Sequence, residues 1–138
     1  PIIMASVFTR IIAGDVPSYK IAENDFAYAF LDIRPLAKGH TLVVPKLEVD
    51  KLFDLPHAHY TALWDFAYHV AHAMEEVLHC NRIGVTVIGL EVPHAHIHLI
   101  PIRGEADMNF ALPKLQLEAS EMQAIADKIS TALLATAE

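Results

Sequence analysis

His94-Ala95-His96-Ile97-His98-Leu99-Ile100-Pro101 is the stretch that decides how this chain is read. In an extended strand successive side chains point to opposite faces, so His94, His96 and His98 share one face while Ala95, Ile97 and Leu99 take the other. The apolar face belongs against a core. The imidazole face has three explanations. One is a solvated strand surface, although exposed sheet faces favour Thr, Lys or Glu over repeated His. A second is metal binding, because neutral imidazoles two residues apart can turn toward one ion. The third is nucleophilic catalysis, in which one ring nitrogen attacks phosphorus while a neighbouring imidazole or carbonyl fixes its tautomer. Spacing alone leaves all three open.

The flanking sequence supplies the frame. Arg82 to Ile88 reads as a strand before the histidine strand, Ala95 to Ile102, with Gly89 and Pro93 between them. Upstream, Tyr19 to Glu23, Phe26 to Leu31 and Thr41 to Val44 are rich in aromatic and β-branched residues and are separated by turn residues. After Pro56, Leu63, Phe66, Ala67, Val70, Met74, Val77 and Leu78 form one face of a long helix. Ser6 to Ala13 predicts a short helix stopped by Gly14 and Pro17, and Leu117 to Ala135 a last helix. Grouped strands with short connections favour antiparallel pairing, so the expected class is α+β with five strands.

At 138 residues, 54% of them hydrophobic, the chain reads as one domain spanning 1–138 and long enough to bury a core. A formal charge of −7, with 10 Lys and Arg, is too poor in cations for a nucleic-acid backbone. The single cysteine, Cys80, excludes an intrachain disulfide and a thiolate zinc cage, and it has no basic neighbour but His79 to activate it. No run of about 18 apolar residues predicts a membrane span, and Pro1 to Ala5 is not followed by the apolar segment of a leader. A cytoplasmic protein is expected, with Met4 as its natural start. His57, His59, His69, His72 and His79 lie on or near the long helix; His72, Glu76 and His79 share a face that reads as solvated rather than as a second metal site. Tyr60, Trp64, Phe66 and Tyr68 are spread around that helix and suit core or dimer packing.

His94 to Ile100 resembles the His-x-His-x-His-apolar-apolar signature of histidine-triad (HIT) proteins, nucleotide-binding hydrolases and transferases. Phe30-Leu31-Asp32-Ile33-Arg34-Pro35 with Gly39 to Lys46 is similar to the nucleoside-binding half of that family, and Ile11 to Ser18 to its N-terminal segment. The resemblance runs from about residue 6 to residue 103 and is closest to the Hint-like branch. It implies a five-stranded antiparallel sheet with a long helix and a C-terminal helix, paired in a homodimer as a continuous ten-stranded sheet. It further implies that His96 is the nucleophile, forming a covalent nucleotidyl-histidine, with His94 and His98 orienting it and holding phosphate oxygens. Asp32 matches the residue at the ribose hydroxyls, with Phe30, Leu31 and Ile33 around the base; a carboxylate accepts two hydroxyl hydrogens and apolar walls exclude water. By itself Asp32 also reads as a turn former before Pro35. His40 and Gly89 fall beside the implied site, and Glu91 where a proton is delivered to the leaving group.

The departures from the family pattern carry their own expectations. Ser6, Thr9 and Glu48 stand where zinc-carrying members have two Cys and a His, which leaves His94 alone and predicts no structural zinc and no other cofactor. The loop Ile88 to Pro93 is short, with Leu90 in place of a Gln that contacts phosphate. The expected activity is hydrolysis or transfer at a phosphoramidate or phosphoanhydride of a purine nucleoside monophosphate, without nucleic-acid or membrane partners. The alternatives are a nucleotide-binding relative without turnover and a metal protein using His94, His96 and His98.

Overall fold

The computed structural model describes residues 5–136; the reading of Met4 as a start lies outside them. In chain order the elements are α1 (Val7–Ile12), β1 (Lys20–Glu23), β2 (Ala27–Leu31), β3 (Thr41–Pro45), α2 (His57–Val77), β4 (Arg82–Thr86), β5 (Ile97–Ile102) and α3 (Ala119–Thr136). The five strands form one sheet in the order β1-β2-β3-β5-β4, every neighbouring pair antiparallel. This is the α+β architecture expected. No helix among the described residues is long and apolar enough to cross a membrane.

The sheet is covered on both faces, and the alternation along β2 and β3 shows how. Ala27, Ala29, Leu31 and Val43 pack with Ile97 and Leu99 beneath α2 and α3. Tyr28, Phe30, Leu42 and Val44 point the other way, against Phe8 and Ile11 of α1. α2 packs through Leu63, Phe66, Ala67, Val70 and Met74, as periodicity predicts, and also through Ala73; Val77 and Leu78 of the predicted face are only partly buried, Leu78 as the C-cap. Burying side chains of this size contributes about 1.5–3 kcal/mol for each large one, so the α2 side dominates stability. α1 begins at an N-cap, Ser6, whose hydroxyl accepts the Thr9 N–H at 3.1 Å.

Several boundaries differ from expectation for identifiable reasons. β5 begins at Ile97 instead of Ala95 because the Ala95 N–H donates to Val49 O, outside the ladder. β4 ends at Thr86 instead of Ile88, since its pairing closes at Thr86 and His98. α3 starts at Ala119, with Met122 N–H on Glu118 O, while Leu117 packs on the core from outside the helix. Two single turns were not foreseen: Leu52–Asp54 and Glu105–Met108, both 3₁₀. The second packs against the sheet where Gly84 makes room, because a Cβ there would fall 2.7 Å from Met108 Sδ. Gly39 has φ +95°, and a side chain there would also strike Leu78, so glycine is required one residue before His40.

Candidate active site

The face that α1 shares with the sheet opens into a pocket of about 640 Å³. Its apolar lining comes from Val7, Phe8, Ile11 and Val16, packed with Phe30 and Leu42. His40, His96 and His98 line the same pocket, with Asp32 beside His40 and the loop Ile88 to Val92 completing the wall. Exposed apolar side chains edge the opening, Ile33 at 72% and Leu90 at 89%.

Hydrogen bonds fix the tautomers of the imidazoles one after another. The Leu36 N–H donates to His40 Nδ1 at 3.0 Å, so that nitrogen carries no proton. Burial, and then the neighbouring His98, push His40 down to about 3, so its ring is neutral and its proton sits on Nε2. Nε2 donates to His98 Nδ1 at 3.0 Å. His98 is itself held at about 4 by burial and then His96, so its own proton lies on Nε2, the nitrogen left for the pocket. His96 is oriented differently. Its Nδ1 lies 2.8 Å from the carbonyl oxygen of His94, which can only accept, so the neutral ring carries its proton there and bares a lone pair at Nε2. Phe8 packs edge-on against His96 with ring centroids 5.0 Å apart, and Phe110 against His98 at 4.9 Å. A lone pair and an N–H donor thus stand on adjacent imidazoles, 4.9 Å between centroids.

His94 departs from its expected part. Its ring does not line the pocket: Nε2 donates to Pro45 O at 2.8 Å and Nδ1 accepts the Ser6 hydroxyl at 2.6 Å. With both nitrogens engaged and the side chain fully buried, the ring has nothing to offer a phosphate or a shared metal ion. What orients His96 is the backbone carbonyl of His94. The rest of this network joins the N-terminus of α1 to the chain after β3. Thr9 Oγ1 donates to Glu48 Oε1 at 2.6 Å, and the Ser6 N–H donates to the same oxygen at 2.7 Å, which together hold the Glu48 carboxyl below its ordinary range. Two hydroxyls, the Glu48 carboxylate and an imidazole with both nitrogens engaged meet here, and the hydroxyls stand apart from the Cys, His and carboxylate donors that zinc takes.

Asp32 forms the turn expected of it and also lines the pocket. Oδ1 accepts the Arg34 N–H at 2.9 Å and closes the turn before Pro35, while Oδ2 lies 3.7 Å from His40 Nε2 on the pocket wall. Burial raises its carboxyl above the ordinary range, against the Arg34 amide. Among the described residues, Asp32, His40 and His98 are the only group with ligand atoms close enough to share a metal ion. The tautomers oppose that use: His40 Nε2 could bind a metal only by moving its proton to Nδ1, against the Leu36 N–H. The α2 histidines form no such cluster, and Asp65 and His69 pair at 3.8 Å on an exposed face.

Of the remaining expected residues, Phe30 forms a wall, and Ile33, Gly89 and Glu91 line the pocket. Gly89 has φ +73° and bends the loop. Leu31 borders the pocket, but its side chain packs in the core under α2, because alternation turns it away from Phe30; its expected place around a base is corrected accordingly. Cys80 is half-buried and its thiol is pushed up by burial, in keeping with an unreactive thiol. Sequence reading missed the lining from α1 (Val7, Phe8, Ile11) and from the irregular chain after β5 (Phe110, Lys114). The first was legible as the apolar face of α1; the second has no periodicity to announce it.

A histidine-strand site beneath a short helix on a five-stranded antiparallel sheet defines a class, and comparison with known proteins agrees. The HIT domain model matches residues 13–105, and the chain belongs to this family. It is similar to the adenosine 5'-monophosphoramidase of Saccharomyces cerevisiae, 39% identical over 102 residues, which are 73% of this chain and 65% of that protein. The chain thus spans less than two thirds of that relative. It is also similar to the adenosine 5'-monophosphoramidase of Schizosaccharomyces pombe, 30% identical over 130 residues, covering 93% of this chain and 98% of the relative. Among solved structures, a zinc-bound histidine triad family protein from Mycobacterium smegmatis superposes with TM-score 0.81 and 29% identity, over 98% of this chain and 99% of that one.

Proposed function

We propose that the protein is a nucleotide hydrolase that cleaves a nucleoside monophosphate from an amine or an acid anhydride through a covalent nucleotidyl-histidine. The observation that carries this reading is the lone pair at His96 Nε2 beside the N–H of His98. The two monophosphoramidases to which the chain is similar support the same class of substrate.

The base lies on the apolar lining, against Phe30, Ile33 and the inner face of α1, and the ribose hydroxyls donate to Asp32. The lone pair of His96 Nε2 forms the N–P bond as the bond from phosphorus to the leaving group breaks, its electron pair going with the leaving group. The His98 N–H donates to a phosphoryl oxygen as charge builds there. An amine needs a proton as it leaves, supplied by Glu91 on the pocket wall. Water then attacks phosphorus, returns a proton to Glu91 and restores the His96 lone pair as the N–P bond breaks.

Incubation with adenosine phosphoramidate and dinucleoside polyphosphates, following AMP release, tests the reading. Release in the presence of chelator is expected; binding of AMP without release from any of these substrates leaves a nucleotide-binding relative instead.

Two further properties belong to this proposal. The protein carries no structural zinc, for which the hydrogen-bonded Ser6, Thr9, Glu48 and His94 are the support. It also forms a twofold homodimer through the edge strand β4 and α2, where Val85 is 47% and Tyr68 60% exposed. Sedimentation at micromolar concentration should give the dimer mass, and a monomer would refute the pairing. The site and the folded domain require no nucleic acid or membrane, and a cytoplasmic setting suits the lone reduced cysteine.

A further inference from the structure

His40 and His98 are both neutral, so this pair brings no positive charge to a phosphate. Among the described residues lining the pocket, the only lysine and arginine side chains are Arg34 and Lys114. Arg34 is exposed on the loop after β2, whereas Lys114 is half-buried and held by a built segment. After β5 the chain turns through Glu105–Met108, where Asp107 accepts the N–H groups of Arg103 and Gly104 at 2.8 and 3.1 Å. Met108 lies over Gly84, Phe110 packs on His98, and the Leu115 N–H donates to Pro35 O at 2.9 Å, three residues from Asp32. This path returns Lys114 to the wall of the pocket.

The ammonium donates to the carbonyl oxygens of Phe110 and Leu112 and lies 5.9 Å from the Phe110 ring centroid. An ammonium has three N–H donors, so one remains. The Phe110 ring against which the ammonium lies also packs against His98, ring centroids 4.9 Å apart, so a single aromatic ring separates the cation from the His98 donor in the same pocket.

From this geometry we infer that Lys114 is a specificity-determining residue that selects substrates whose leaving group is an oxyanion, a sulfate or a phosphate, over those that release an amine. The inference rests on the hydrolase reading and narrows its substrate class. An oxyanion leaves with the electron pair of the broken bond and gains negative charge, which the Lys114 ammonium stabilises; it needs no proton. An amine gains nothing from a cation and depends on proton delivery.

The test compares kcat/KM of the wild-type protein, Lys114→Met and Lys114→Arg on three substrates: adenosine 5'-phosphosulfate, diadenosine polyphosphate and adenosine phosphoramidate. In Lys114→Met the ratio of each anhydride to the phosphoramidate should fall by about tenfold to a hundredfold, as for loss of one charge-assisted hydrogen bond. Lys114→Arg should recover most of that ratio, and the wild-type preference should weaken as salt rises. A fall with the phosphosulfate alone identifies sulfate as the recognised group, and a fall with the polyphosphate alone identifies phosphate. Equal losses on all three substrates, which a purely structural lysine would give, overturn the inference, as does an unchanged ratio. If the wild-type protein hydrolyses none of the three, the hydrolase reading falls and this one with it.

Discussion

His94 and His98 stand four residues apart, both are buried, and burial lowers the affinity of both rings for a second proton. Their difference lies in what each ring nitrogen meets. His94 is enclosed by Pro45 O and the Ser6 hydroxyl and works as a strut between α1 and the sheet. His98 has one nitrogen satisfied by His40 and the other left to the pocket. Burial and spacing are common to the two, so neither marks the reactive residue. The remaining nitrogen does, and His96 differs from both because, among the described residues, its one side-chain hydrogen bond is to a carbonyl that forces its proton to Nδ1.

Substitution can break this contrast at its strongest point. His96→Ala should abolish covalent nucleotidylation, read by intact-protein mass spectrometry after rapid quench, and an AMP adduct on that variant would move the nucleophile elsewhere. His98→Ala should slow turnover by roughly a hundredfold or more while nucleotide still binds, because one donor to the developing charge is gone. His40→Ala, which touches the pocket mainly through His98, should give a smaller loss, of about tenfold, because the His98 proton is then free to occupy either nitrogen.

Acid acts on the same contrast through stability. His40 at about 3 and His98 at about 4 bind protons far more weakly than an unfolded histidine at about 6.5. Between those values the unfolded chain binds more protons than the folded one, so the stabilisation present above pH 6.5 declines as pH falls and is lost through pH 4 to 3. Urea midpoints measured across this range should fall with pH, and less steeply in His40→Asn. A flat profile would show that the buried pair is not held neutral.

The smallest effect is expected on the sealed side. Ser6→Ala removes an N-cap and a buried hydroxyl bond to His94 and should cost about 1–2 kcal/mol by urea denaturation, with turnover of the folded protein within about threefold of wild type. Elemental analysis should find no stoichiometric zinc in the wild-type protein. The triple change Ser6→Cys, Thr9→Cys and Glu48→His, which presents a thiolate and imidazole donor set around His94, should acquire one zinc per chain. Stoichiometric zinc in the wild type would overturn the strut reading of His94.

The sequence by itself determined the sheet, the covering helices and the position of the chemistry. Periodicity is a local property: two-residue alternation in β2, β3 and β5 and the apolar face of α2 follow from which residues must leave water, and the structure forms each element there, β5 starting two residues later than read and α2 ending just before Leu78. The same alternation brought His96 and His98 to one face, with Asp32 at the end of β2. Tertiary structure alone decided the rest. Which nitrogen of each imidazole holds a proton depends on Leu36, Pro45 and the His94 carbonyl, partners brought by chain folding, and the pattern of the histidines carries no trace of them. Phe110 and Lys114 enter the pocket through an irregular segment whose path is set by single contacts, Asp107 on Gly104, Met108 on Gly84 and Leu115 on Pro35. Side-chain type and spacing are written along the chain, whereas a proton on one nitrogen or the other is fixed only by the hydrogen-bond partner that the completed fold sets against it.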